Sequence, residues 1–380
     1  MKNKKIVFCA TVPFAVRAFL LEHIRCLSSE YAVTIVTNLK DDDFKDAASE
    51  HVHFVHLPFS RHPDILNDLK CLIRLISFFK KEAFDSVHSI TPKAGLLAML
   101  AGCFAGTKVR IHTFTGQVWA TKSGIARFLL KNVDRFFSGL ATHLFVDSPS
   151  QRDFLLKEGV ISAERSEVLG AGSICGVDTV RFAPDAKLRQ KTREELGFLP
   201  QETVFLFLGR LTRDKGVLSL ANAYRSVSKE YPGARLLIVG PDEEGLRKHR
   251  SFQLPGAPVV FVGYTAEPEK YMNAADVFCL PSRREGFGSV IIEAACTGIP
   301  AIASRIYGIT DAVVPGTTGI LHTPDSAQDI AGCMLWMLCH PELRNEMGAK
   351  ARERAVKEFP KERLTAALRD AYHRMLGVES

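Results

Sequence analysis

Two glutamates and two cationic side chains have the types and spacing of a site for a charged sugar derivative. Glu285 and Glu293 lie eight positions apart and are separated by a Gly-Phe-Gly turn, whereas Arg210 and Lys215 lie upstream in a short segment bounded by glycines. The two cations can hold a diphosphate, the turn amides can approach a sugar closely, and a carboxylate can accept paired hydrogen bonds from ribose hydroxyls. This combination predicts a nucleotide-sugar site and suggests a glycosyltransferase.

Buried strands are expected to position both segments. Arg210 and Lys215 follow the apolar run 204–208, and Glu285 follows the apolar run 277–280. In parallel α/β sheets, ligands bind outside the carboxyl ends of the strands. A solvated basic loop is the alternative for Arg210 and Lys215, but Lys215 also precedes a helix whose amino terminus favours anions.

Glu293 is expected about one turn into a helix over residues 289–297, with Ser289 as its cap. A surface carboxylate is the alternative. Apolar neighbours surround Glu293 in the sequence, and an unpaired charge among them would be costly, so ribose is a reasonable partner. Paired carboxylates also occur in glycoside hydrolases. The adjacent diphosphate clamp argues against hydrolysis, since transfer from a nucleotide sugar needs its leaving diphosphate stabilised.

Short apolar runs alternate with amphipathic stretches along the whole chain, which predicts parallel strands joined by helices. Strands are predicted over 5–10, 32–37, 53–57, 86–89, 109–113, 143–147, 204–208, 235–239, 259–262, 277–280, 301–303 and 319–321. Helices are predicted over 17–28, 64–81, 217–230, 268–275, 289–297, 327–338 and in the charged tail from 341. We expect an amino-terminal domain over 1–170, a linker over 171–184, a second domain over 185–356 and a final helix over 357–380.

Composition is that of a soluble globular protein. The 380 residues are 46% hydrophobic and 24% charged, which favours two domains and argues against long disordered segments. No apolar run reaches the roughly 20 residues that span a bilayer. The basic start of the chain resembles a short signal peptide, but a strand-to-loop boundary is expected there instead. Nine cysteines without a Cys-x-x-Cys pair suit reduced thiols in cytoplasm and do not support a cysteine-bound metal.

The motifs around the predicted site resemble those of a known family. The second half is similar to the donor domain of retaining GT-B glycosyltransferases of family 4, whose Glu-x7-Glu motif matches Glu285 and Glu293. Their Gly-Arg-Leu-x4-Lys-Gly element matches residues 209–216, with three residues instead of four between Leu211 and Lys215. The resemblance implies two Rossmann-like doubly wound domains that face each other across a cleft. It assigns Arg210, Lys215 and Glu285 to catalysis, and donor binding to Gly209, Arg210, Lys215, Gly263, Tyr264, Thr265, Glu285, Gly286, Phe287, Gly288, Ser289 and Glu293.

The first half resembles transferases that build bacterial surface polysaccharides on polyprenyl-diphosphate carriers. The matching segments are residues 88–95, 110–121 and 170–178. By this resemblance, the acceptor side is assigned to Phe14, Lys93, Thr115, Gly116 and Gln117. The final helix of such enzymes usually crosses back to the first domain.

Two positions depart from the family pattern. Thr115-Gly116 stands where many members carry His-Gly, and His112 is expected to point elsewhere as a core histidine. The first loop, residues 11–15, lacks the usual glycines, which removes the basis for donor phosphate contacts from that loop.

Two basic amphipathic helices are expected in the first domain. Apolar and aromatic residues recur at helical spacing over 122–137, where Arg127, Lys131 and Arg135 lie four residues apart, and residues 64–81 repeat the pattern. Such helices can lie on anionic lipid. The alternative is a helix whose apolar side faces the core and whose basic side is solvated.

These observations, together with the resemblance, predict a glycosyltransferase that moves a sugar, an N-acetylhexosamine or a deoxy derivative, from a UDP-sugar to a polyprenyl-diphosphate-linked saccharide. The resemblance implies that the anomeric configuration is retained. The resemblance implies bacterial polysaccharide biosynthesis, such as O-antigen or capsule, at the cytoplasmic face of the membrane. No cofactor or metal is expected, because the two cations supply the electrostatic role of a metal.

Other functional classes meet specific objections. A GT-B-fold epimerase would turn over donor without an acceptor, and a phosphorylase would need a phosphate or cofactor-lysine motif that the sequence lacks. A dinucleotide oxidoreductase would need Gly-x-Gly-x-x-Gly after the first strand, where it is absent. A non-enzymatic membrane or nucleic-acid module would explain the net charge of +7 but not the clamp with its paired glutamates. No nucleic-acid-binding motif is found.

Overall fold

The chain forms two compact α/β units. The computed structural model describes residues 4–39, 52–60, 64–253 and 259–378. The units comprise Met1–Cys175 with Lys361–Ser380, and Gly176–Pro360. Each unit contains one parallel sheet flanked by helices, which confirms the predicted pair of Rossmann-like doubly wound domains. Residues 1–3, where the resemblance to a signal peptide begins, lie outside the described part.

The first unit alternates strands and helices throughout its described residues. Its strands are β1 (Lys5–Cys9), β2 (Ala32–Thr37), β3 (Val52–His56), β4 (Ser86–Ser89), β5 (Val109–Phe114), β6 (His143–Val146) and β7 (Ser166–Glu167). Its helices are α1 (Pro13–Phe19), α2 (Leu21–Leu27), α3 (Ile65–Glu82), α4 (Pro92–Ala105), α5 (Gly124–Leu140), α6 (Pro149–Lys157) and, at the end of the chain, α14 (Lys361–Leu376).

The sheet of the first unit has the order β3-β2-β1-β4-β5-β6-β7, and its strands pair in parallel. Side chains of β1 alternate between two cores: Val7 and Cys9 pack on the side of α3, α4 and α5, and Ile6 and Phe8 pack on the side of α1, α2 and α14. A strand buried on both faces needs a continuous apolar run, which is the pattern that predicted it.

The final helix, α14, contributes to the core of the first unit. Tyr372 is fully buried, and its hydroxyl lies 2.9 Å from His88 Nδ1. Thr365 Oγ1 lies 3.1 Å from His23 Nδ1, so two buried histidines hydrogen-bond to this helix. The helix is therefore part of the first unit although it follows the second in sequence.

The second unit repeats the same plan over the residues described. Its strands are β8 (Thr203–Leu208), β9 (Ala234–Val239), β10 (Val259–Val262), β11 (Val277–Leu280), β12 (Ala301–Ser304) and β13 (Gly319–His322). Its helices are α7 (Ala186–Leu196), α8 (Val217–Glu230), α9 (Pro268–Ala274), α10 (Ser289–Cys296), α11 (Ile309–Ala312), α12 (Ala327–Cys339) and α13 (Pro341–Glu358). The sheet order is β10-β9-β8-β11-β12-β13, again parallel.

The predicted strands are confirmed to within one residue at each end. The helix predicted over 17–28 is instead two helices, because the chain departs from helical geometry at Leu20, with φ −116° and ψ −15°. Helix α4 was not predicted, since it is apolar all round and lacks the one-sided pattern of an amphipathic helix. In the part of the chain that the structure describes, no helix is both long and apolar enough to cross a bilayer.

Candidate functional site

The predicted donor residues gather at the carboxyl edge of the second sheet. The segment 209–216 follows β8 and the segment 281–288 follows β11, and these two strands are neighbours in the sheet. From β8 the chain continues to β9 and β10 on one side of the sheet, and then crosses to β11 on the other side of β8. The direction in which strands are added therefore reverses between β8 and β11. Crevices at such switch points are the usual binding sites of open α/β sheets.

Close backbone contacts fix the segment after β8. Leu211 N donates to Pro241 O at 2.9 Å, and a Cβ on Gly240 would lie 2.0 Å from Gly209 O. Gly216 has φ +68°, and a Cβ there would lie 1.9 Å from Pro281 O. Position 216 therefore needs glycine, because its backbone is left-handed and touches the loop after β11. Helix α8 begins at the next residue, as predicted.

The loop after β11 places Glu285 beside the first segment. Gly288, with φ +85°, is the residue that precedes helix α10, and Ser289 is the first helical residue. Ser289 is thus not the cap that the sequence predicted, because a left-handed glycine makes this turn and no side chain caps it. A Cβ on Gly308 would lie 2.4 Å from Gly286 O, so the loop after β12 supports the turn directly.

The two predicted clamp cations have different partners. Lys215 Nζ lies 2.5 Å from Glu285 Oε1, with both side chains mostly buried. Arg210 Nη1 lies 2.9 Å from Glu243 Oε2 on the loop after β9, and both of these side chains are more exposed. The structure therefore unites Lys215 with Glu285, while Arg210 turns toward a glutamate that the sequence analysis did not identify. The sequence could have indicated Glu243, because this residue also follows a predicted strand, β9, and so lies at the carboxyl edge of the sheet.

Glu293 lies one turn into α10 and is partly buried. Desolvation raises the pKa of its carboxyl to about 7, an effect that Arg181 opposes and Glu269 reinforces. Arg181 and Glu269 form a 2.8 Å ion pair with each other, and the Glu293 carboxylate has no hydrogen-bond partner within the described ranges. It is thus available to accept hydrogen bonds. Arg181 was missed because it lies in the segment interpreted as a linker.

The remaining residues that were predicted to bind the donor differ in how exposed they are. Phe287 is buried and its ring centroid lies 5.2 Å from that of Phe359, so its side chain is enclosed by the protein. Gly263 O accepts from Gly240 N at 3.1 Å, which ties the loop after β10 to that after β9. Tyr264 is 72% exposed, and Thr265 Oγ1 accepts from Glu267 N at 2.9 Å. This loop presents one aromatic ring to solvent beside the sheet edge.

The predicted acceptor residues lie in the first unit and follow three neighbouring strands, β1, β4 and β5, at the carboxyl edge of the sheet. Phe14 on α1 is 56% exposed, and Lys93 on α4 forms a 2.8 Å ion pair with Asp68. Thr115 and Gly116 are partly exposed just after β5.

Gln117 is buried rather than presented to a ligand. Its Nε2 donates to Thr115 O at 2.6 Å, and its Oε1 accepts from Gln151 Nε2 at 3.1 Å. The Gln151 amide also donates to Thr115 O at 2.6 Å. The two amides therefore hold the turn that carries Thr115 and Gly116. Gln151, which the sequence analysis missed, supports that turn from α6.

His112 is a core residue, as expected. Its Nδ1 lies 2.8 Å from Ser89 Oγ, its ring packs edge-on against Phe114 and Phe137, and burial lowers its pKa to about 3. A neutral buried imidazole cannot act as an exposed base. Among the described residues, no group of three or more His, Cys, Asp or Glu side chains is arranged to hold a metal ion.

Comparison with known families finds matches in both halves of the chain. Residues 189–354 match the model described as Glycosyl transferases group 1, and residues 15–172 match that described as Glycosyl transferase 4-like domain. The first range contains the segments after β8 and β11, and the second covers most of the first unit.

Individual proteins show the same similarity. The chain is 27% identical over 380 residues to the capsular polysaccharide biosynthesis glycosyltransferase CapM of Staphylococcus aureus, covering 99% of this chain and 98% of that one. It is 29% identical over 254 residues to the UDP-Gal:alpha-D-GlcNAc-diphosphoundecaprenol alpha-1,3-galactosyltransferase of Escherichia coli, covering 65% of each chain. HepE of Anabaena, solved in complex with UDP-glucose, superposes with a TM-score of 0.82 at 18% identity, over 98% of this chain and 100% of that one.

Proposed function

Because the chain belongs to the group 1 glycosyltransferases and has the GT-B fold, we propose that it transfers a sugar from a UDP-sugar to a polyprenyl-diphosphate-linked saccharide with retention of configuration. One observation carries the donor assignment: Lys215 and Glu285 meet where the loops after β8 and β11 adjoin. A diphosphate-binding cation and a sugar-binding carboxylate are thereby within reach of one nucleotide sugar. The UDP-glucose complex of HepE supports a UDP donor.

The proposed mechanism is substitution on one face of the donor sugar. Arg210 and Lys215 bind the diphosphate as its C1–O bond breaks and negative charge develops on it. The departing diphosphate oxygen takes the proton of the acceptor hydroxyl as the new bond forms on the same face. Glu285 positions the sugar, and Glu293 accepts hydrogen bonds from the ribose. No protein nucleophile and no metal is required in this scheme, so activity is expected to persist in EDTA.

The proposed acceptor and pathway rest on the relatives. The Escherichia coli relative is named for a diphosphoundecaprenol acceptor and the Staphylococcus aureus relative for capsular polysaccharide biosynthesis. We assign this chain to the assembly of a bacterial surface polysaccharide, such as O-antigen or capsule, with an N-acetylhexosamine or a deoxy sugar transferred. Phe14, Lys93, Thr115 and Gly116 form the proposed acceptor side.

An exposed apolar face supports a location on the membrane surface. Helix α5 has 17 residues, of which only Asp134, Phe137 and Ser138 are buried. Its outward side chains include Ile125 at 79% exposure and Phe128 at 66%. Helix α4 packs between α3 and α5, so these helices cover one side of the first sheet. We define the apolar face as the large exposed side chains of α3 and α5: Ile65, Leu66, Leu69, Ile73, Ile125, Phe128, Leu129, Leu130, Val133 and Phe136.

The charges on these helices modify the sequence-based expectation. Arg127 and Lys131 do not form a solvated basic stripe, because both pair with Glu158, at 2.8 and 2.7 Å. Lys70 and Arg74 on α3 are exposed beside the apolar face. Contact with lipid is therefore proposed to depend mainly on burial of apolar side chains, with these cations favouring anionic headgroups. We therefore propose that the enzyme acts while bound to the cytoplasmic side of the cell membrane.

A panel of nucleotide sugars tests the donor assignment. Thermal unfolding is measured with each compound, because a ligand that binds only the native state raises the midpoint. The stabilising sugar nucleotide is then incubated with a polyprenyl-diphosphate-linked acceptor, and the anomeric configuration of the product is determined by NMR. An inverted product contradicts the mechanism. Turnover of the donor without any acceptor would instead favour the epimerase alternative.

A further inference from the structure

Every cation in the two predicted donor segments has a carboxylate partner. Segments 209–216 and 281–288 contain five lysines and arginines. Their carboxylate partners lie in these same two segments, on the loop after β9 and on the loop after β13. The pairs are Arg210–Glu243 at 2.9 Å, Arg213–Glu244 at 3.8 Å, Lys215–Glu285 at 2.5 Å, Arg283–Asp325 at 2.6 Å and Arg284–Asp214 at 3.0 Å. An anion that binds here must therefore compete with carboxylates of the protein itself.

The pair between Arg210 and Glu243 differs from the one between Lys215 and Glu285. Glu285 belongs to the proposed site and gains a sugar hydroxyl when Lys215 turns to the diphosphate. Glu243 lies outside both donor segments, on the loop after β9, and has no part in the proposed reaction. Its carboxylate nevertheless lies against the cation that is proposed to bind the diphosphate.

The backbone holds Glu243 in this position. The preceding residue, Asp242, accepts hydrogen bonds from Leu246 N at 2.8 Å and Arg247 N at 2.9 Å, which fixes the turn. The turn is also joined to the loop of Arg210 by the Leu211–Pro241 backbone hydrogen bond of 2.9 Å. Glu243 and Arg210 thus extend from backbone segments that are fixed to each other, and their pairing does not depend on a chance meeting of two long side chains.

We propose that Glu243 is a built-in counter-ion that competes with the diphosphate for Arg210 and thereby limits how tightly UDP is held. This inference rests on the proposed function. Both side chains are substantially exposed, so the ion pair is weak and a diphosphate can displace the glutamate. UDP is part of the donor and also the leaving product, and slow release of a product commonly limits turnover. A competing carboxylate favours that release.

The test replaces Glu243 by glutamine, which keeps the shape and removes the charge. In calorimetric titration with UDP at low salt, Glu243→Gln is expected to lower the Kd about three- to ten-fold, because one repulsive charge is removed from the anion site. The gain is expected to shrink as salt screens it. In steady state, the donor KM falls and kcat falls with slower UDP release. Glu244→Gln is the matched control, because it removes the same charge one residue away but from the partner of Arg213 rather than of Arg210, and its Kd is expected to fall clearly less than that of Glu243→Gln.

Each outcome has a distinct meaning. Unchanged UDP affinity in Glu243→Gln overturns the proposal, and weaker affinity overturns it too, since Glu243 would then be positioning Arg210 for the ligand. If the wild type does not bind UDP, the donor assignment fails, and inorganic pyrophosphate becomes the probe. Tighter pyrophosphate binding by Glu243→Gln than by wild type and Glu244→Gln still supports the counter-ion role, whereas equal binding or none contradicts it.

Discussion

Lys215 Nζ lies 2.5 Å from Glu285 Oε1, although the two residues are 70 positions apart in the chain. Each follows a strand of the second sheet, and the sheet order makes those strands, β8 and β11, neighbours. The cation assigned to the leaving diphosphate and the carboxylate assigned to the sugar therefore contact each other directly. When the proposed donor binds, Lys215 can exchange Glu285 for the diphosphate, and Glu285 can at the same time exchange Lys215 for a sugar hydroxyl.

A double-mutant cycle on this pair is expected to show coupling. Lys215→Ala should reduce kcat/KM about 10²- to 10³-fold, because stabilisation of the leaving group acts in the transition state. Lys215→Ala with Glu285→Ala should lose less than the product of the two single losses, since residues in contact are not independent. Steady-state transfer assays give kcat/KM for each single variant and for the double variant, relative to wild type. Lys229→Ala, an exposed lysine on α8, is the control, and strictly multiplicative losses would argue that the pair does not act together.

Glu293 is expected to make UDP binding depend on pH. Its pKa of about 7 means that the carboxyl group is protonated in about half of the molecules near neutrality, whereas the proposed hydrogen bonds from ribose hydroxyls require the ionised form. UDP affinity should therefore rise as pH increases from about 5.5 to 8. Glu293→Gln should bind UDP more weakly and lose most of this slope, as measured by calorimetry across the pH range. A wild type with pH-independent affinity would contradict the assignment, and Glu267→Gln, which changes an exposed glutamate just before α9, is the control.

The raised pKa of Glu293 also makes the free energy of unfolding depend on pH, in the opposite direction to the affinity for UDP. Between the ordinary value of 4.5 and about 7, the folded protein binds more protons at Glu293 than the unfolded chain does. The free energy of unfolding therefore falls as pH rises through this window and is level above it. Glu293→Gln should be more stable than wild type at pH 8, by at most about 3 kcal/mol, and no more stable at pH 4. Denaturant unfolding at both pH values checks the difference.

Strand positions could be predicted from the sequence because buried parallel strands require continuous apolar runs. The same reasoning placed Arg210, Lys215 and Glu285 just beyond strand ends. Which side chains meet there depends on sheet order and side-chain direction, which no local pattern specifies. Glu285 was predicted to contact sugar and Lys215 phosphate, but their mutual ion pair was not foreseen, nor was Glu243 as the partner of Arg210.

Other differences arise from tertiary packing. Ser289 has the chemistry of a helix cap, yet the left-handed Gly288 makes the turn and leaves Ser289 inside the helix. Gln117 has an amide suited to a sugar hydroxyl, but Thr115 O and Gln151 engage that amide instead. For α5, the sequence correctly predicted an amphipathic helix with an apolar and a basic face. It could not show that the apolar face is largely exposed, since periodicity does not reveal which face packs against the rest of the protein.

Gly308 is expected to support the turn that carries Glu285. It has φ +81°, and an added Cβ would lie 2.4 Å from Gly286 O and 2.9 Å from Glu285 O. Gly308→Ala should therefore displace the turn, lowering kcat/KM about ten- to a hundred-fold and destabilising the fold by about 1–3 kcal/mol. Gly332→Ala is the control, because a Cβ on that exposed helical glycine meets nothing within 4 Å. Activity and thermal unfolding are measured on both, and full activity in Gly308→Ala would contradict the proposed support.

The apolar face is expected to bind lipid by inserting its side chains. Ile125→Ser with Phe128→Ser removes two of its most exposed members, and each buried apolar side chain contributes about 1.5–3 kcal/mol. Cosedimentation with vesicles containing anionic lipid should therefore weaken at least ten-fold. Salt should weaken the wild type only partly, because Arg127 and Lys131 already pair with Glu158.

The matched control for that experiment lies in the second unit. Val180→Ser with Leu343→Ser also removes two exposed apolar side chains, but neither belongs to the apolar face. It should bind vesicles as the wild type does, and the thermal midpoints of both double variants show whether each is folded. Equal loss in the two variants would indicate a general effect of surface hydrophobicity. Unchanged binding in Ile125→Ser with Phe128→Ser, together with complete release by salt, would favour electrostatic attachment through Lys70 and Arg74, because a purely coulombic contact is screened whereas inserted side chains are not.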